Sequence, residues 1–352
     1  MTKLMKVRNR IAGGLIIIPL LLSACSPGSQ QSKQIDPPPP GVESQMMQEA
    51  GNGTDADISM DRVKRTTVYL RSDEGYLAPI TLKLPLDEDN QIAKKALETL
   101  VIDGPYSKLL PEGFSGVFPK GTEVKGISTK KDDKLAIVEF NKAFTNYKKS
   151  DERKILEALT YTLTSYSDIE KVQIWVDGQK LNEMPVDGTP LTRPLTRAMG
   201  INLEVKQGVN FTQTSPVTVY FSAATSGGIQ YYVPVTRLVQ SGSDKVTAAI
   251  EELIHGPDDQ YKLNQVMTSG TSLDFVKEEN GTVTVALNDD MFDKGDKIPA
   301  EMLQSVVLTV TENSSSQKVQ IEFNGQTNIV GTDDAKYSKP VSRPELINEI
   351  PL

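Results

Sequence analysis

The nonapeptide KVQIWVDGQ at residues 171–179 returns as KVQIEFNGQ at 318–326, with six of nine positions identical. The copies lie about one domain length apart in a chain of 352 residues, which is long enough for about two domains. Other blocks repeat in the same order. TVYL at 67–70 is matched by TVYF at 218–221, ALETLVIDGP at 96–105 by AIEELIHGP ending at Pro257, and IVEFN at 137–141 by TVALN at 284–288. LTRP at 191–194 is set against VSRP at 341–344, which pairs Arg193 with Arg343. Two copies of a long unit are a tandem duplication, not a solenoid of short repeats.

Each block has a readable period. Val68 and Leu70 share a strand face, as do Ala136, Val138 and Phe140, and in the second copy Val283, Val285 and Leu287. Ala93, Ala96, Leu97, Leu100 and Val101 fall at helical spacing, and Gly104-Pro105 and Gly256-Pro257 follow as stop signals, with glycine in the left-handed cap. Ser150, Asp151 and Glu152 are read as capping a helix with Ile155, Leu159, Thr162 and Leu163 inward. Pro299 opens the matching helix of Met302, Val306 and Val310. Asn280-Gly281 suits a tight hairpin. In the repeated strand, Val172, Ile174 and Val176 point inward, and Gln173 and Trp175 outward. The order per copy is strand, a possible second strand, helix, two hairpin strands, helix, strand. The expectation is an α+β fold: two tandem copies of a small α/β sandwich, residues 65–200 and 201–352, with both helices packed on one face of a mixed sheet. The other face is then open or lightly covered.

Upstream, Lys3, Lys6, Arg8 and Arg10 precede an apolar run of about a dozen residues, too short to span a bilayer of about 30 Å. Residues 1–24 therefore read as a signal peptide. Leu22-Ser23-Ala24-Cys25 resembles the bacterial lipobox, which implies lipid attachment at Cys25. Two acyl chains make a stable anchor where one is marginal. Loss of the leader takes the formal charge from −8 to about −12, so the mature chain should stand off from anionic lipid. Residues 25–64 are rich in Pro, Gly, Ser and Gln and read as a disordered tether spanning about 30–35 Å.

Chemistry is sparse. With one Cys and one His, an internal disulfide and a Cys/His zinc site are excluded, and no metal or cofactor is expected. A net charge of −8 argues against nucleic acid. His255 lies at a helix C-terminus, with Asp103 as its counterpart in the other copy, so catalysis through it would exist in one copy alone. Asp132/Asp133, Asp258/Asp259, Asp289/Asp290 and Asp333/Asp334 are adjacent in turn-like stretches, where carboxylates usually solvate. Trp175, the only Trp, is either an outward interface anchor or packed under the LTRP segment. Arg193 and Arg343 either tie the C-terminal segment of each copy down or face a partner.

Two copies of the TVYL, L-x-x-L-x-x-GP and V-x-F/L-N blocks behind a lipobox resemble the GerMN-domain family, sporulation and germination lipoproteins of endospore-forming bacteria. The resemblance covers nearly the whole mature chain. It implies a fold akin to the ring-building motif and a non-enzymatic place in the channel complex linking mother cell and forespore. Implied partners are the proteins of that channel or ring, with homo-oligomers forming only alongside them. The implied location is the outer face of the cell membrane, in the intermembrane space of the engulfed forespore. The family offers no catalytic signature to carry over. The alternatives are a glycan- or peptidoglycan-binding lipoprotein, which 6% aromatic content disfavours, a carboxylate hydrolase, and a solute-binding lipoprotein.

Overall fold

The computed structural model describes residues 63–86, 91–205, 210–258 and 262–350. The leader, Cys25 and nearly all of the expected tether lie outside the described residues. The first copy runs β1 (Val63–Ser72), β2 (Leu77–Pro85), α1 (Ile92–Glu98), β3 (Phe114–Ser115), β4 (Val124–Lys130), β5 (Leu135–Phe140), α2 (Glu152–Leu163), β6 (Lys171–Val176) and β7 (Gln179–Lys180). The second runs β8 (Thr214–Ala224), β9 (Gln230–Gln240), α3 (Lys245–His255), β10 (Ser272–Glu279), β11 (Thr282–Asn288), α4 (Ala300–Asn313), β12 (Lys318–Phe323) and β13 (Val341–Ser342).

Each copy carries a four-stranded mixed sheet, β4-β5-β6-β7 or β10-β11-β12-β13. The central pair, β5 with β6 or β11 with β12, is parallel and is bridged by α2 or α4. The possible second strand is real: β1 with β2, and β8 with β9, form a long antiparallel ribbon. The ribbon packs on the side of the helices away from the sheet. Each copy therefore has three layers: sheet, helices, ribbon. This explains why α2 buries every residue from Ile155 to Leu163, not only the stripe of Ile155, Leu159, Thr162 and Leu163. Leu156 and Tyr161 fill the additional contact. The outer face of each four-stranded sheet remains at the surface, and its edge strands β4 and β10 are largely exposed.

Three local expectations are corrected. Helix α1 ends at Glu98 instead of running to Val101, because the Leu100 carbonyl accepts from the amides of Val117 and Phe118 at 2.8 and 2.7 Å. Gly116 allows that approach, since a Cβ there would lie 2.3 Å from the Leu100 oxygen. The left-handed residue after α1 is Asp103 (φ 54°), not Gly104, whereas Gly256 (φ 82°) ends α3 as expected. Ser150, Asp151 and Glu152 do not cap α2: its N-cap Asp151 makes no side-chain capping bond. Glu152 is instead buried and accepts from the Asp187 and Thr189 amides and the Thr189 and Tyr147 hydroxyls. Asp244 does cap α3, accepting from the Thr247 amide at 2.8 Å. Asn280 and Gly281, both at positive φ, form the two-residue hairpin turn.

Candidate functional site

The two ribbons meet edge to edge along β2 and β9. Their strands carry the same spacing, Tyr76-x-x-Pro79-x-Thr81 and Tyr231-x-x-Pro234-x-Thr236. Proline has no N–H to offer a neighbouring strand, so it suits an edge that must not pair directly. A different device joins the edges. Asn202, at φ 48°, accepts from the Leu77 amide (2.9 Å) and donates through Nδ2 to Leu77 O (2.7 Å) and Pro234 O (2.8 Å). Asn348, at φ 55°, does the same from the other side. It accepts from the Tyr232 amide (2.8 Å) and donates to Tyr232 O (2.9 Å) and Pro79 O (2.8 Å). The preceding residues swap as well: the Ile201 amide donates to Thr236 Oγ1, and the Ile347 amide to Thr81 Oγ1. These asparagine and Ile–Thr contacts mirror one another under exchange of copies. The joint is a pseudo-two-fold, isologous interface within one chain.

A charge clamp lies beside it. Glu312 on α4 accepts from Arg197 Nη1 (2.7 and 3.0 Å), from the Tyr220 hydroxyl (2.9 Å) and from Arg343 Nη2 (2.8 Å). Arg197 belongs to the end of copy one and Arg343 to the end of copy two. Their settings are equivalent. Arg197 lies over Tyr69 (5.9 Å) and bonds Thr164 Oγ1; Arg343 lies over the matching Tyr220 (5.3 Å) and bonds the matching Thr311 Oγ1. Burial alone would raise the Glu312 carboxyl; the two guanidinium groups outweigh it and hold it at about 2. The pseudo-symmetry stops there, since copy one has Ser165 at the position equivalent to Glu312. Glu157, also at the joint, accepts from the Asn202 amide and from Arg153. Its burial outweighs these and raises its carboxyl.

The structural counterpart of Arg343 is thus Arg197, and the pairing of Arg343 with Arg193 is corrected. The copy-one segment contains LTR twice, at 191–193 and 195–197, and it is the second that matches VSR at 341–343. Residues 195–202 match 341–348 without a gap, ending in Ile201-Asn202 and Ile347-Asn348. Arg193 is exposed, while Arg343 is committed internally. Trp175 does not pack under the LTRP segment. It stands on the outer sheet face, half-buried, paired with Lys180 across β6 and β7 and donating Nε1–H to Gln173. His255 is exposed at the end of α3. Asp289 is buried and accepts from the Thr268 and Thr271 hydroxyls and the Met291 amide, which outweigh burial and lower its carboxyl. Its neighbour Asp290 is exposed. Asp289 thus ties two loops together, and the pair does not face a cleft as two carboxylates. Among the described residues no group of three or more His, Cys, Asp or Glu is placed to hold a metal, and no helix is long and apolar enough to cross a membrane.

Fold and joint define a class: a tandem-domain protein in which two copies of one α+β module are locked by an internal pseudo-two-fold. The Germane family model, described as sporulation and spore germination, matches residues 67–182 and 218–329, one stretch in each copy, and the chain belongs to this family. The chain is 38% identical to the spore germination protein GerM of Bacillus subtilis (strain 168), with 94% of each chain covered. It is also similar to the solved tandem GerMN domains of the sporulation protein GerM from Bacillus subtilis, at a TM-score of 0.75 and 40% identity over 82% of this chain and 99% of that one.

Proposed function

We propose that the chain is a lipid-anchored, non-enzymatic assembly component of the channel apparatus between mother cell and forespore, needed for sporulation and later germination. Cys25 carries the lipid, residues 25–64 form the tether, and the two-copy body stands in the intermembrane space. The observation that carries this reading is the joint. Arg197, Glu312, Asn202 and Asn348 are committed to holding the copies together, Arg343 braces Glu312 from within copy two, and the buried Asp289 ties loops. The family description and the spore germination relative support the biological setting. A fixed pair of modules presents two outer sheet faces on one tether, and linked contacts gain avidity by effective concentration.

Co-purification from sporulating cells after mild crosslinking tests this, comparing wild type with Cys25→Ala. Channel proteins should be recovered with the wild type and lost with the variant. A wild-type preparation that never recovers them overturns the assembly reading; equal membrane retention of the variant overturns the anchor.

A further inference from the structure

The outer faces of the two sheets differ in a complementary way. Register places Gly126, Glu139 and Trp175 side by side across β4, β5 and β6. The equivalent row of copy two is Phe275, Ala286 and Glu322. The match is structural, because a bulge interrupts each edge strand just before it, between Val124 and Gly126 and between Leu273 and Phe275. Where copy two displays Phe275, 40% exposed, copy one has Gly126 and a groove. The groove measures about 330 Å³ and is lined by Gly126, Ile127, Ser128, Ile137, Glu139 and Trp175. A Cβ added to Gly126 would meet nothing within 4 Å. One copy therefore has an uncovered aromatic knob, and the other an apolar hole beside the only Trp.

The charges around them are opposed. On the outer face of copy one the register puts Lys130, Lys171 and Lys180 against a single acid, Glu139. Around Phe275 stand Asp274, Glu279 and Glu322, against Lys277 and Lys318. Lys277 is already paired with Glu279 at 2.8 Å. Each sheet lies on the far side of its helices from the ribbons that form the joint, so a chain's knob does not reach its own hole.

We propose that Phe275 of one chain docks into the Trp175 groove of a second copy of this chain. An aromatic anchor in an apolar pocket with a charged rim is the usual anatomy of an interface hot spot. The contact is heterologous: it leaves one groove and one knob free, so it propagates into a row or closes into a ring. It goes beyond the assembly reading by naming the partner, and it uses surfaces that the joint leaves free.

The test uses two purified full chains, both with Cys25→Ser, one carrying Ser128→Cys and the other Lys277→Cys. They are mixed and treated with a short bis-maleimide. The expected product is the mixed 128–277 dimer. It should fall roughly tenfold or more when Phe275→Asp is added to the second chain or Gly126→Trp to the first. Excess unlabelled chain with Cys25→Ser alone should compete it away, a readout that alters neither surface. Absence of the mixed product, products joining only 128 to 128 or 277 to 277, or a mixed product that survives Phe275→Asp overturns the proposal. Because no other protein is present, such a failure leaves recovery of channel proteins from cells as a separate question.

Discussion

Replacing Glu312 with Gln keeps the shape of the clamp and removes its charge, leaving Arg197 and Arg343 without a counter-ion at the joint. The Glu312 side chain is only 7% exposed, and the arginines 28% and 19%, so solvent screens the loss weakly. Its carboxyl is held at about 2, against an ordinary 4.5. At 1.36 kcal/mol per unit that depression stabilises the fold by about 3 kcal/mol at neutral pH. Removal of one member of a buried pair costs a similar 3–5 kcal/mol in general. The sign follows from the depressed folded value. The contribution is complete above about pH 5, falls as pH drops through 4.5, is roughly halved near pH 3, and vanishes below about 2. Urea unfolding of wild type and Glu312→Gln at several pH values between 3 and 7 measures it. The difference in unfolding free energy should shrink steadily toward acid. A difference that stays flat with pH, or is below about 1 kcal/mol at pH 7, refutes the assignment of Glu312 as the charged centre of the joint.

Glu157→Gln should show the opposite trend. Its carboxyl is raised by burial, so ionisation at neutral pH opposes folding, and the variant should gain relative to wild type as pH rises through the carboxylate range, in the same urea series. Asn202→Gly keeps the left-handed backbone but loses three side-chain hydrogen bonds; a loss of roughly 2–4 kcal/mol is expected in thermal melts, with a similar loss for Asn348→Gly. Gly116→Ala forces its Cβ to 2.3 Å from the Leu100 oxygen and should cost more than about 2 kcal/mol by the same assay. Lys120→Ala removes only an exposed pair with Asp103 and should leave the melt unchanged.

Much of the fold was legible because it rests on local periods. The β5, β6, β11 and β12 strands and the buried stripes of α2 and α4 follow from apolar spacing that alternation or helical repeat makes visible. The third layer was not legible in this way. Val68 and Leu70 mark a strand whichever face is covered, and strand parity alone puts the intervening Tyr69 outward, whereas it packs on Tyr161 of α2 and under Arg197. The joint was missed for a different reason. Asn202 and Asn348 look like ordinary loop residues, since a left-handed asparagine leaves no period. The gapless match of 195–202 to 341–348 did carry the signal, but the doubled LTR diverted it to Arg193. Glu312 has no repeat partner at all, as Ser165 occupies its place, so comparison of the copies could not flag it. Trp175 was readable as outward from strand parity; its groove depends on Gly126, two strands away, which only register brings alongside.

If the copies are one locked body, spin labels on Thr129 of the first sheet and Lys277 of the second should report a single narrow distance distribution by pulsed dipolar spectroscopy, in dilute full chain. That distribution should broaden in Glu312→Gln and Asn202→Gly. A broad distribution in the wild type, unchanged by either substitution, would show that the modules move independently and that the pseudo-two-fold does not hold them.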